Sequence, residues 1–202
     1  MYRKQMTFQK ILCFAALITC AVIFVYSLGI MTDIYDLVRG KNNIGREADP
    51  YDTEVQGSWI YYDMQPFNRL FTRLSIGLFV LSVGLFITGT HSRRRYYIGN
   101  FISVAVFSLC GIAFSAWCHL EIEKYRTQFL QMDFEALKAV ADRMNGYYTE
   151  SAFWFDIHWP VFILLVLVCV LLIANVFFKL SLMKAEKKLV AAGKTAGEEE
   201  KA

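Results

Sequence analysis

The chain of 202 residues is 56% hydrophobic and 16% aromatic, only 19% of its residues are charged, and its formal net charge is +3. A soluble domain of this size carries about 25% charged residues, so the composition argues against one. The apolar residues are gathered in long blocks, which is typical of membrane spans. This pattern predicts that the chain lies in the lipid bilayer and that it does not bind nucleic acid.

Four apolar blocks are predicted to cross the membrane as helices. Crossing the hydrocarbon core takes about 20 residues, and each backbone polar group in lipid must be paired within its own segment. The predicted spans are residues 11–31, 70–90, 97–119 and 157–179, and the loops on one side are residues 32–69 and 120–156. The fold class is therefore all-α, an integral membrane four-helix bundle formed by residues 1–180. Residues 181–202 are predicted to be a basic, flexible tail.

The distribution of lysine and arginine predicts the topology. Basic residues precede the first span, fill the short turn at Arg93–Arg95 and follow the fourth span from Lys179 onward, whereas most of the acidic residues lie in the two long loops. Because cytoplasmic segments are enriched in basic residues, both termini are predicted to be cytoplasmic and both long loops extracytoplasmic. The predicted location is the cell membrane, as a multi-pass protein.

The two long loops contain further patterns. In the first, Trp59, Tyr61 and Tyr62 fit an aromatic belt at the headgroup level, and a partner-binding aromatic patch is the alternative. In the second, Asp133 followed by an amphipathic stretch that ends at Asn145-Gly146 predicts a short helix.

The span cores contain no Asp, Glu, Lys or Arg, which disfavours a proton relay, an ion-coupled pump or a voltage sensor. No nucleophile or phosphate-loop motif is found, so we expect a non-enzymatic protein without a cofactor.

All five cysteines fall inside predicted spans, where they are expected to be small apolar fillers. The amides Asn100 and Asn175 are expected to hydrogen-bond between helices.

Small residues recur at packing intervals in the second and third spans. Such residues let helix backbones approach closely in a membrane. The predicted helix-packing positions are Gly77, Gly84, Thr88, Ser108, Gly111 and Ser115.

Histidines and acids gather where the third span ends and the fourth begins. His119 and Glu123 are four residues apart and share a helix face, while Asp156 and His158 lie at the same predicted depth. If the two helices are neighbours, two imidazoles and two carboxylates can converge, which suits zinc or another divalent transition metal, or a sensor of acidification. The alternative is a simple membrane exit, with Asp156 as the N-cap of the fourth helix.

The layout of four spans, a long first outer loop and a short basic inner turn resembles that of claudins and calcium-channel gamma subunits. Claudins have a Trp, a Gly-Leu-Trp and two cysteines in that loop, whereas this loop offers Gly57-Ser58-Trp59 and no cysteine. The second loop also lacks the Cys-Cys-Gly of tetraspanins. The resemblance is therefore one of layout, and it implies no particular activity.

Three functions are compatible with these observations. The first is an accessory or scaffold subunit that assembles with another membrane protein or with itself. The second is a channel or transporter component for a small solute, and the third is an extracytoplasmic metal or pH sensor.

Overall fold

The computed structural model of the chain describes residues 2–38, 55, 57, 59–91, 98–144 and 150–199. Within these residues the secondary structure is helical, and the elements are α1 (Tyr2–Val38), α2 (Ile60–His91), α3 (Ile98–Leu130), α4 (Phe134–Met144), α5 (Phe153–Asp156) and α6 (His158–Glu199). The stretches α1, α2, α3 and α5–α6 are long and apolar enough to cross a membrane. The prediction of an all-helical chain with four potential spans is confirmed.

The four long helices form a closed bundle. Helix α1 packs against α2 and α6, and α3 packs against the same two helices. On α1 the buried side chains recur every three or four residues, as expected for one helix face directed into a core. They include Leu12, Ala16, Cys20, Ile23 and Ile30. The bundle therefore has one continuous core, with α3 and α6 as direct neighbours.

The helices are longer than the predicted spans. Helix α2 begins at Ile60, not at residue 70, and accommodates Pro66 in its second turn, where a proline removes one backbone hydrogen bond. Helix α3 continues to Leu130 through part of the predicted outer loop. The apolar blocks mark only what lipid must cover, whereas a helix continues wherever the next residues are good helix formers.

Helix α6 differs most from its prediction, since it continues to Glu199 through most of the segment expected to be a flexible tail. This segment is rich in Ala, Lys and Glu, which have high helix propensity, and it contains no proline. It also extends a helix that is already formed, so the unfavourable nucleation step is avoided.

An aromatic layer fills the bundle near the end at which α6 begins. Each long helix contributes one ring: Tyr26 from α1, Phe71 from α2, Phe114 from α3 and Phe162 from α6. Phe71 contacts the other three rings, with centroid distances of 5.8 Å to Tyr26, 5.7 Å to Phe114 and 6.3 Å to Phe162. All four rings are buried.

Beyond the end of α3, the short helix α5 packs against α1 and α3. The Asp133 carboxylate accepts a hydrogen bond from the Ala136 backbone N–H at 3.0 Å and so caps α4, as its sequence pattern predicts. Val55 and Met132 are buried, and Gly57 has a φ of 90°, which favours glycine. A Cβ at Gly57 would lie 3.1 Å from Met132 Cγ. The two loops therefore meet above the bundle.

The predicted stop at Asn145-Gly146 lies outside the described residues, as do the side chains of Tyr61 and Tyr62.

The six predicted packing residues fall into two groups. Ser108, Gly111 and Ser115 are buried on α3, where a Cβ at Gly111 would lie 2.9 Å from Cys169 Sγ on α6. By contrast, a Cβ at Gly77 or Gly84 would meet no other atom within 4 Å, so these two glycines face away from the bundle. The Thr88 hydroxyl donates to the Gly84 carbonyl of its own helix at 2.9 Å.

Candidate metal centre

The imidazoles of His119 and His158 meet where α3 and α6 pack together. His119 and Glu123 lie one turn apart on α3, and His158 is the first residue of α6. His158 is fully buried, and its ring lies 5.7 Å from that of Phe162, so the aromatic layer forms the floor of the site. We call the group His119, Glu123 and His158 the histidine cluster, and this end of the bundle the histidine end.

Helix α5 holds His158 in place. The Tyr26 hydroxyl on α1 donates to the Trp154 carbonyl at 2.8 Å, which ties this one-turn helix to the bundle. The Trp154 ring lies directly over Gly29, where a Cβ would be only 2.6 Å from the ring, so no larger residue fits there without a shift. The position of the chain is therefore set immediately before α6 begins.

The two imidazoles are hydrogen-bonded to each other, with 2.9 Å between His119 Nδ1 and His158 Nε2. His158 Nδ1 faces the Phe155 carbonyl, which can only accept, so this nitrogen carries the proton and donates. In the neutral pair His158 Nε2 is therefore the acceptor, and His119 Nδ1 is the donor. These proton positions are inferred from the hydrogen-bond network.

Glu123 completes the cluster. Its Oε1 lies 3.6 Å from His158 Nε2 and accepts a hydrogen bond from the Trp159 indole N–H at 2.9 Å. Its Oε2 lies 3.9 Å from a guanidinium nitrogen of Arg126. The carboxylate is thus directed towards the imidazoles by a hydrogen bond from Trp159 and an ion pair with Arg126.

One ligand atom from each residue of the cluster lies within 4.8 Å of the others. Two nitrogen ligands on a tetrahedral zinc ion are about 3.3 Å apart, given Zn–N distances of about 2.0–2.1 Å. The separation of 2.9 Å between the imidazole nitrogens is only a few tenths of an ångström shorter. A metal would replace the hydrogen-bonding proton, and the His119 proton would move to Nε2. The Phe155 carbonyl would keep His158 in the tautomer that ligates through Nε2.

Asp156, the fourth predicted ligand, takes another partner. Its carboxylate accepts a charge-assisted hydrogen bond from Arg126 Nε at 2.7 Å, and it is more than half exposed. It is also the last residue of α5, and α6 begins two residues later at His158. The structure therefore brings three of the four predicted residues together, while Asp156 links α5 to α3.

Two residues of this site were not singled out from the sequence. Arg126 follows Glu123 by three residues, a spacing that places them on one helix face. Trp159 gave no such signal, because its contact with Glu123 depends on how α3 and α6 are packed.

Replacing Trp159 with phenylalanine tests the orienting hydrogen bond. The aromatic ring is retained but the indole N–H is lost, so the Glu123 carboxylate is freer to turn away. We expect metal affinity to fall about 10-fold or more, as is found when a group that hydrogen-bonds to a metal ligand is removed. Zinc titration of the two purified proteins measures the change, and equal affinities would show that the carboxylate needs no such support.

Comparison with protein-family models, with curated proteins and with solved structures finds no match for this chain.

Proposed function

We propose that this chain is a multi-pass membrane protein that binds a divalent transition metal ion, with zinc as the best-suited ion, through His119, Glu123 and His158. The observation that carries the proposal is that three donor atoms from two helices lie within 4.8 Å of one another. Two imidazole nitrogens and one carboxylate oxygen are a ligand set that zinc and related ions accept, with one position left for water or a partner's ligand.

The role proposed for the metal is sensing, without an enzymatic step. The three ligands come from α3 and α6, so a bound ion adds a direct link between two helices that already pack against each other. Binding to the folded bundle stabilises it by mass action. The concentration of metal thereby determines how stably α3 and α6 are held together at the histidine end.

Zinc titration with matched variants tests this proposal. The purified protein in mild detergent is expected to bind one zinc ion with micromolar or tighter affinity. His119→Ala and His158→Ala should each lower the affinity at least about 100-fold, because three protein ligands are reduced to two. Asp156→Asn serves as the control, since Asp156 lies at the same end but binds Arg126, and it should leave the affinity within about 3-fold.

Circular dichroism and gel filtration identify variants that fail to fold, and Glu123→Gln provides a nearly isosteric third test. Failure of the wild-type protein to bind zinc at micromolar concentration would refute the proposal. Unchanged binding after replacement of both histidines would refute it as well, because the metal would then lie elsewhere.

The orientation is part of the proposal. The basic residues that flank the Gln5 end of α1 and follow Lys179 favour a cytoplasmic location for both termini in the cell membrane. The histidine end is then extracytoplasmic, and external metal reaches it without crossing the bilayer. Protease protection of an epitope tag appended after residue 202, compared with one inserted near residue 45, tests this orientation. Protection of the second tag alone would reverse it.

An accessory role alongside another membrane protein, or another copy of this chain, is also proposed. The outward-facing Gly77 and Gly84 favour it, because small residues on an exposed helix face allow a second helix to approach closely. A stoichiometric partner should then survive purification in mild detergent. A pore through a single copy is not favoured, because one buried ring from each long helix fills the cross-section of the bundle next to the histidine cluster.

A further inference from the structure

A second polar group is buried at the other end of the bundle, far from the histidine cluster. Its residues come from three helices, and the α2 backbone at Gly89 takes part. The side chains are Gln5 and Gln9 of α1, Asn100 of α3, and Asn175 and Lys179 of α6. We call this group the amide–lysine cluster. Each of its side chains is at least 96% buried.

Hydrogen bonds join part of this cluster. Gln5 Nε2 donates to Asn175 Oδ1 at 3.2 Å and to Gln9 Oε1 at 3.3 Å. Gln9 Nε2 donates to the Gly89 carbonyl at 2.9 Å, so α1, α2 and α6 are connected. These hydrogen bonds between helices are the ones expected of amide side chains in membrane spans.

Lys179 is the exception to this pairing. Among the described residues its ammonium contacts Asn100 Oδ1 at 3.4 Å and the Phe101 ring, with 4.9 Å to the centroid, and neither contact carries a negative charge. A buried cation without an anionic partner is costly, by several kcal/mol even after relaxation. Such a lysine is rarely tolerated at a membrane level unless it has a function.

Within the part of the chain that the structure describes, two further polar atoms of the cluster are buried without a hydrogen-bond partner, Asn100 Nδ2 and Gln5 Oε1. Asn100 Nδ2 is a donor on the side chain whose oxygen already faces Lys179, so a donor and a cation lie together. Gln5 Oε1 is an acceptor, which a hydroxyl group can satisfy. Buried polar atoms left unpaired in this way normally indicate a missing partner.

We propose that the amide–lysine cluster binds a phosphate-bearing anion, with Lys179 Nζ and Asn100 Nδ2 donating to phosphate oxygens and Gln5 Oε1 accepting from a hydroxyl. The phosphate is that of an anionic lipid headgroup such as phosphatidylglycerol, or it is free inorganic phosphate. Both sources supply a negative charge for Lys179 and a hydroxyl for Gln5. Basic pockets between transmembrane helices are suited to such headgroups.

Thermal unfolding of the purified full chain separates the two sources. One arm adds phosphatidylglycerol to a phosphatidylcholine background, and the other adds inorganic phosphate against chloride at matched ionic strength. A ligand present at about 100 times its Kd should raise the Tm of a chain of this size by about 5–10 °C. A shift with lipid alone indicates a headgroup site, and a shift with both indicates a site for phosphate in general. No shift in either arm overturns the proposal.

Variants show whether the stabilisation comes from this cluster. Lys179→Met and Asn100→Leu should each abolish the ligand-dependent shift. Without ligand, Lys179→Met should unfold at the same temperature as wild type or higher, since an unpaired buried charge is removed. The exposed Lys184 on the same helix provides the control, and Lys184→Met should retain the full shift. An equal shift in Lys179→Met and wild type would place the anion elsewhere and refute the assignment.

Discussion

Replacing Gly111 with leucine is expected to force α3 away from α6 and to weaken zinc binding at the histidine cluster at least about 10-fold. A Cβ at this position would lie 2.9 Å from Cys169 Sγ and 3.7 Å from Leu165 Cδ1, both on α6, and leucine adds three more carbon atoms. Overpacking of this kind costs about 1–3 kcal/mol. His119 lies about two turns further along α3, so the displacement reaches the pair of imidazoles.

Gly84→Leu is the matched control, because a Cβ there meets no atom within 4 Å. Both substitutions gain the same helix propensity, which therefore cancels in the comparison. Thermal unfolding and zinc titration should both separate the two variants.

A second variant pair tests whether the contact with Cys169 causes the effect. The stability and zinc affinity lost in Gly111→Ala should be restored by adding Cys169→Ala, which removes the Sγ atom that the new Cβ meets. Equal behaviour of Gly111→Leu and Gly84→Leu would show that this contact does not set the spacing of α3 and α6.

Replacing Phe71 with alanine is expected to destabilise the bundle by about 2 kcal/mol and to loosen the packing beneath the histidine cluster. Phe71 stacks on Phe67 and Phe114 and meets Tyr26 and Phe162 edge-on, so its removal leaves a void bounded by four rings. The estimate comes from a cavity of about 100 Å³ at about 24 cal/mol per Å³. The transfer contribution is small here because lipid is as apolar as the core.

Reversible unfolding in mixed detergent micelles measures this loss, with Ile76→Ala as the control. Ile76 lies on the same helix but is 47% exposed, so its truncation should cost well under 1 kcal/mol. Zinc affinity should fall in Phe71→Ala and stay unchanged in Ile76→Ala, because Phe162 contacts both Phe71 and His158. Equal stability of the two variants would mean that the aromatic layer contributes no more than a lipid-facing residue does.

The helical fold could be predicted because uncharged blocks of this length have few alternatives in a bilayer. The ends of the helices could not, since polar residues such as those from Lys184 onward are compatible with a helix and with a coil. The site was partly predictable. His119 and Glu123 must share a face at a spacing of four, but their meeting with His158 depends on α3 and α6 being neighbours, and the long loop between them does not determine that.

The separation of Asp156 from His158 has a simple geometric reason. Residues two apart on a helical backbone point about 200° apart, so when His158 faces the core Asp156 faces outward. The burial of Lys179 could not be foreseen, because a basic residue at the end of a span is ordinarily read as an anchor in the headgroups. Its position beneath Phe101 follows only from the packing of α3 against α6.

X-ray absorption spectroscopy of the zinc-loaded protein tests the histidine cluster as a metal centre most directly. We predict a shell of nitrogen and oxygen ligands at about 2.0–2.1 Å, with the outer-shell scattering of two imidazoles. In the His119→Ala, His158→Ala double variant that imidazole scattering should disappear. A zinc-loaded wild-type spectrum without imidazole scattering, or one that the double variant reproduces, would contradict the assignment.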